Sequence, residues 1–374
     1  MATLGLCMIV KDEASIIEAC LDSVRPLVDY ALIVDTGSSD GTQEVVRRWL
    51  AAKGLAGEAV DAPWRDFAFN RSDALARLRS IAHVDYALII DADDRVVYRD
   101  GFDAATFKAG LAADVYDVAI ELPPLAYTRP QICSNRLRFS YRGVLHEFLD
   151  GPPGFTRAKA AGFSIACTRA GHRSKDPDKY KRDAEILRQA LGVETDAFLR
   201  ARYTFYLAQS LRDSQQPVAA LAAYLERAKL GFWSEEVFES LYAAGKLMEA
   251  LAYPSETILG TYLSAYEAAP TRAESLHALV GYAHRHGLAA TGYMIGKTAL
   301  AIPRPANGLF VQDWVYDYGL LDEFAVAAYW AGHYQESLTA AERLLAEGKL
   351  PAAHRARVEE NARFAREKSG LPAA

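Results

Sequence analysis

The stretch Tyr86-Ala87-Leu88-Ile89-Ile90-Asp91-Ala92-Asp93-Asp94 decides how the chain is read. Its apolar residues stand at successive positions rather than alternating, which predicts a strand buried on both faces, as in a parallel sheet. The run then ends abruptly in carboxylates, two of them separated by a single residue. A buried, unpaired carboxylate is costly, so such charges need partners or a ligand. Open α/β sheets bind ligands at the carboxyl ends of their strands, and acidic groups there offer hard oxygens to a divalent cation. Taken alone, Asp-x-Asp reads more readily as an acidic turn facing water than as a site.

Upstream, strand and helix patterns alternate. Leu4 to Val10 reads as an apolar strand, followed by a helix with Ile16, Ile17, Cys20, Leu21 and Val24 on one face. Ala31 to Val34 is a second strand leading into Asp35-Thr36-Gly37-Ser38-Ser39-Asp40-Gly41-Thr42. Asp40 followed by Gln43 predicts a capping box for a helix reaching about Ala52. Glu58 to Asp61, Ala68 to Ile81 and Tyr86 to Ile90 continue as strand, helix and strand. Right-handed crossovers then make the sheet mainly parallel. Val115 to Leu122 and Leu137 to Tyr141 read as further strands. Asp35 ends a buried strand on the same edge as Asp91, with Gly37 and Gly41 permitting close backbone approach. Asp35 and Asp91 together predict one crevice at the carboxyl edge.

The texture changes near Gly171-His172-Arg173-Ser174-Lys175-Asp176-Pro177-Asp178. Beyond it, helical stripes dominate: Ala184, Leu187 and Leu191; Tyr203, Tyr206, Leu207 and Leu211; Val218, Leu221, Ala222, Leu225 and Ala228. Ala-rich helix pairs recur around Phe205–Leu230, Ala278–Ile302 and Ala325–Leu345, with breaks at 213–216 and 331–333. This predicts an imperfect tetratricopeptide-like helical repeat from residue 176 to 374, after an α/β domain over 1–175.

Composition sets the outer bounds. Forty-two Lys and Arg against 48 Asp and Glu give a net charge of −6, which argues against a nucleic-acid partner. The four cysteines, Cys7, Cys20, Cys133 and Cys167, are scattered, as expected of reduced thiols in a cytoplasmic protein. Neither a signal peptide nor a transmembrane span is expected, leaving room only for peripheral membrane contact.

Several segments together resemble family-2 glycosyltransferases of the GT-A fold: Cys7 to Glu13, Val34 to Thr42, Trp64 to Leu75, Asp91 to Asp94, and Tyr141-Arg142-Gly143-Val144-Leu145-His146-Glu147. The helical half, notably Arg202 to Asp213, resembles the tetratricopeptide-like tails of one branch. Asp12 departs from the pattern, standing where Asn is expected. The resemblance implies a hexosyltransferase using a nucleotide-sugar, most often UDP-linked, with Mg²⁺ or Mn²⁺ and an inverting course. Under it, Asp35 faces the base, Arg71 assists there or at the diphosphate, and Asp91 faces ribose or a metal-bound water. Asp93 and His172 would serve the metal. Inversion requires a base for the acceptor's proton, with Glu147 the candidate and His146 its competitor. The acceptor is expected to be a glycan, a lipid-linked group or a protein, and the helical half to position it or to form a homodimer. The competing expectation is a peptide-binding scaffold with a degenerate transferase domain.

Overall fold

The computed structural model describes residues 1–122, 125–168 and 176–370. The chain divides into two compact units, Met1–Ala190 and Leu191–Ala374.

The first unit contains β1 (Leu4–Val10), α1 (Ile17–Val24), β2 (Tyr30–Asp35), α2 (Thr42–Lys53), β3 (Gly57–Asp61), α3 (Phe67–Arg79), β4 (Tyr86–Ile89), β5 (Asp94–Tyr98) and α4 (Ala104–Ala109). After these come β6 (Val115–Leu122), β7 (Leu125–Ser134), β8 (Ser140–Arg142), β9 (Phe148–Asp150) and β10 (Arg157–Cys167). Eight strands form one sheet in the order β3-β2-β1-β4-β7-β6-β10-β5, and β8 and β9 form a separate hairpin. The first four strands are parallel, whereas β7 joins β4 antiparallel. The expected α/β domain with a mainly parallel sheet is thus present.

Residue alternation explains why the central strands are apolar throughout. Leu4, Leu6, Met8 and Val10 face a core with Ile17, Leu21 and Trp49 from α1 and α2. Cys7 joins Leu32, Val34, Ala87 and Ile89 in a second core against Leu75 and Leu78 of α3. Each central strand buries both faces, so its polar residues collect at its ends.

Two local expectations are corrected. The strand expected over Leu137–Tyr141 is only the short β8, because the chain turns after Ser134. The neighbouring strand is instead β7, whose Arg129, Pro130 and Gln131 break any apolar pattern. The capping box does not form either. Gly41 is the N-cap of α2 with φ of 87°, and the Asp40 carboxylate accepts from Thr42 N and Ala14 N at 3.0 and 2.9 Å. Gln43 turns to Asp61 instead.

Helix α5 (Lys179–Val193) crosses the division between the units. The second unit continues with α6 (Ala197–Asp213), α7 (Pro217–Lys229), α8 (Ser234–Ala250), α9 (Ser255–Ala268), α10 (Glu274–Arg285) and α11 (Ala289–Ala299). A π-helical turn, Val315–Gly319, leads into α12 (Leu320–Trp330), followed by α13 (Tyr334–Ala346) and α14 (Ala352–Lys368). From α6 to α14 each helix packs on the next in sequence, the stacking expected of a helical repeat. The breaks expected at 213–216 and 331–333 fall between α6 and α7 and between α12 and α13. Among the described residues no helix is long and apolar enough to cross a membrane.

Candidate active site

The carboxyl ends of β1, β2 and β4 share one edge. In register, Val10 lies beside Asp35, and Cys7 lies beside Ile89, two residues before Asp91. The chain leaving β2 turns tightly: Asp35 Oδ1 accepts from Gly37 N and Ser38 N at 2.9 and 2.7 Å. Gly37 holds φ of 106°, a value costly for a residue with Cβ. Asp35 is 1% exposed, and its Oδ2 is buried with no hydrogen-bond partner among the described residues. One oxygen shapes the turn and the other is left over.

Asp12 completes the same corner. Its backbone has φ of 55°, a region that Asp and Asn tolerate better than most residues. Its Oδ1 accepts from Ser39 N at 2.8 Å, while its own N–H donates to Ser38 Oγ at 2.8 Å. The side chain acts only as an acceptor, so carboxylate and amide serve equally. The departure from the family pattern therefore leaves the corner intact.

Arg71, on α3, is the hub of the site. Its Nη2 donates to Asp91 Oδ1 at 2.5 Å and its Nε to Glu147 Oε1 at 2.7 Å. The guanidinium carbon lies 5.6 Å from the Tyr141 ring centroid, within cation–π range. Glu147 reaches Arg71 from the loop between β8 and β9. That hairpin is tied to α3 by Tyr141 N donating to Ser72 Oγ at 2.8 Å. Gly143 and His146 bend the loop, with φ of 106° and 51°. Glu147 is half-buried and His146 exposed.

Burial alone would raise the Asp91 carboxyl, but Arg71 and then Arg129 reverse this and hold it below the usual carboxylate range. The Arg71 guanidinium is desolvated, yet Asp91 and Glu147 keep it firmly charged. In each carboxylate Arg71 engages one oxygen. Asp91 Oδ2 and Glu147 Oε2 have no protein hydrogen-bond partner among the described residues.

The remaining acidic residues separate. Asp93 lies in the turn after β4, where its carbonyl accepts from Thr168 Oγ1 at 2.6 Å. Asp94 enters β5, is buried, and stands 3.6 Å from Arg129 Nη2. Desolvation and the charge of Asp91 push its carboxyl up to about 6 despite a hydrogen bond with Cys167. Asp94 is consequently an interior partner of β10. Among the described residues, no group of three or more His, Cys, Asp or Glu is arranged to hold a metal, and His172 lies outside the described residues.

Arg129 is the site residue that the sequence reading missed. It comes from β7, an antiparallel neighbour of β4, and no local motif marks it. Arg136 sits elsewhere, exposed and paired with Asp85 at 2.8 Å before the start of β4.

No family model matches the chain. A TPR repeat-containing protein of Synechococcus elongatus is 38% identical over 154 residues, covering 40% of this chain. The chain spans only 36% of that relative's length. Among solved structures, S. aureus TarS in complex with UDP-GlcNAc is similar at a TM-score of 0.39 and 15% identity, over 67% of this chain and 87% of that one. TarS in complex with UDP gives a TM-score of 0.35 and 14% identity, over 72% and 89%. Likeness this loose carries no chemistry across, and the reading of the site rests on its own side chains.

Proposed function

We propose that the first unit is an inverting glycosyltransferase that moves a sugar from a nucleotide-sugar donor, UDP-linked, to a glycan, lipid-linked or protein acceptor. The observation that carries this reading is a set of uncommitted oxygens: Asp35 Oδ2 and Asp91 Oδ2 at one sheet edge, and Glu147 Oε2 joined to Asp91 through Arg71. Acceptors without donors suit a ligand rich in N–H and O–H groups. A base imide, ribose hydroxyls and an acceptor hydroxyl supply them.

In this reading Asp35 Oδ2 accepts from the base, and Asp91 Oδ2 from the ribose or a metal-bound water. Arg71 holds Asp91 and Glu147 in place and keeps both ionised neighbours compensated. Glu147 Oε2 takes the acceptor hydroxyl's proton as that oxygen bonds to the anomeric carbon. The bond from that carbon to the diphosphate oxygen breaks on the opposite face, and the nucleoside diphosphate departs with its electron pair. His146 is the less favoured base, being exposed on the strained loop beside Glu147.

A divalent cation fits the donor chemistry here. Mg²⁺ is commonly held by one or two carboxylates plus substrate phosphate oxygens, and Asp93 would supply one, with Asp91 Oδ2 left for the ribose or a metal-bound water. When bound, such a cation would offset the charge gathering on the departing diphosphate. His172 is proposed as a further contact.

Thermal denaturation with UDP and Mn²⁺ tests the reading. A donor site should raise the melting temperature in a UDP-concentration-dependent way. Asp93→Ala should abolish the metal-dependent part and the release of nucleotide from UDP-sugars. Glu147→Gln should keep UDP binding and lose transfer. No stabilisation by UDP with either metal would replace the transferase reading with the scaffold one.

A further inference from the structure

The helical unit holds a cavity of about 430 Å³ that the transfer chemistry does not use. Phe205 of α6 and Tyr242 of α8 give it aromatic walls, and Phe310 adds a third from the segment before the π-helical turn. Its polar lining consists mostly of donors without acceptors. Tyr224 is 1% exposed, and its hydroxyl has no hydrogen-bond partner among the described residues. Lys246 lies over the Tyr242 ring at 4.4 Å and is in no ion pair among the described residues. Arg212 uses only Nε, toward Asp213 at 2.8 Å, leaving its terminal nitrogens uncommitted. The Gln209 amide also lines the cavity.

The cavity is built rather than incidental. Phe310 has φ of 54°, a strained choice for a bulky side chain and one that persists only when its surroundings enforce it. They do. Arg272, fully buried, donates to Leu309 O at 3.0 Å, and Leu309 N donates to Glu235 at 2.9 Å. Gln312 N donates to Glu274 at 3.2 Å, and Gln312 Nε2 to Tyr242 Oη at 3.2 Å. Both sides of Phe310 are thereby fixed, and the ring is held against the cavity.

We propose that this cavity binds an anionic sugar unit, its ring face against Phe205, Tyr242 and Phe310 and its acidic group toward Lys246, Arg212 and Tyr224. A donor surplus calls for an acceptor-rich ligand, because a buried hydroxyl without a partner costs free energy. Aromatic faces from three separate segments enclose a compact ring better than a through-running peptide, which needs repeated polar partners along its backbone. The one carboxylate in the lining, Glu239, does not oppose an anion at neutral pH. Arg272 Nη2 donates to its Oε1 at 3.1 Å and offsets its charge from outside the cavity, and burial pushes the carboxyl up to about 8, where its protonated form adds another donor.

Calorimetric titration of the full chain, with neither nucleotide nor metal present, tests this. The probes are glucuronic acid, a hexose phosphate, glucose and a capped peptide of alternating Asp and Glu. Glucuronic acid or the hexose phosphate should bind roughly tenfold more tightly than glucose, the tighter of the two showing whether the acidic group is carboxylate or phosphate. Lys246→Met should weaken that binding about fivefold. Tyr224→Phe should weaken it while leaving the melting temperature equal or higher, since only an unpartnered hydroxyl is lost. Equal binding of glucose, binding of the peptide alone, no binding of either acidic sugar, or unchanged binding by Tyr224→Phe would each overturn the proposal. With no donor present, this test and that of the transferase reading fail independently.

Discussion

Arg71 illustrates how much one side chain can settle at the site. Its two carboxylate partners lie 20 and 76 positions away, so removing it leaves both without their cation in a partly dry crevice. Arg71→Ala should cost roughly 2 kcal/mol at pH 7, discounted from the fully buried range because Asp91 is about a third exposed. The Asp91 carboxyl is held below its ordinary 3.8, so its stabilising share is present above that value and lost on acidification. The difference between parent and variant in urea unfolding should accordingly hold down to about pH 4 and shrink as pH falls below 3.8. A pH-independent difference would mean the loss is one of packing. Asp12 predicts the opposite kind of result. Asp12→Asn should change stability by less than about 0.5 kcal/mol, since only an acceptor is required, whereas Asp12→Ala should cost about 1 kcal/mol or more by orphaning Ser39 N. The sequence pattern supplied Asp35, Arg71, Asp91, Asp93 and Glu147 as candidates because each sits in a local motif. It could not show that Arg71 joins Asp91 to Glu147. It also missed Arg129, because those contacts depend on strand pairing across the fold.

Among elements, the legible ones are those whose burial is set locally. The central strands bury both faces and read as apolar runs, and helices α1 to α3 show their stripes. Strands β7 and β10 were hidden because they serve the mixed half of the sheet, where pairing is non-local and polar residues are tolerated. Strand β10 also shifts register between Lys159 and Ser164, around Gly162 with φ of 90°, which breaks any period. Asp40 was misread for a related reason: its carboxylate had a tertiary claimant in Ala14 N that no local pattern shows. The helical unit carries its own close fit. A Cβ placed on Gly245 of α8 would stand 2.5 Å from Tyr262 of α9, so the glycine is required by ring-to-backbone packing, not by φ. Gly245→Ala should cost roughly 1–3 kcal/mol despite its better helix propensity. Chemical denaturation would check this, and a stabilised variant would show that Tyr262 has room to turn away.

For the molecule as a whole, two half-buried groups of the helical unit set opposing pH dependences. His277 on α10 meets Trp314 edge-on at 4.9 Å. Burial, then Lys246, lowers it from 6.5 to about 4, with Arg285 adding to this and Asp322 and Glu274 opposing. It stays neutral when folded, so its share of stability is present above 6.5 and lost as pH falls toward 4. Glu239 runs the other way. Raised from 4.5 to about 8 by burial, with Glu274 adding and Arg272 and Lys246 opposing, it keeps its proton when folded. Its share is full below 4.5 and lost as pH rises through 8. The contributions of these two groups offset each other between about pH 4.5 and 6.5, and of the pair the Glu239 slope alone remains up to pH 8. Glu239→Gln keeps an acceptor for Arg272 and removes that slope. Its stability relative to the parent should therefore climb between pH 4.5 and 8. His277→Gln should do the reverse, its relative stability climbing as pH falls from 6.5 to 4. Scanning calorimetry of the three proteins at matched pH values decides the matter, because differences between variants cancel the surface groups they share. Parallel pH profiles for parent and Glu239→Gln would show that the Glu239 carboxyl is already ionised beside Arg272 at neutral pH, and would withdraw its donor role in the cavity as well.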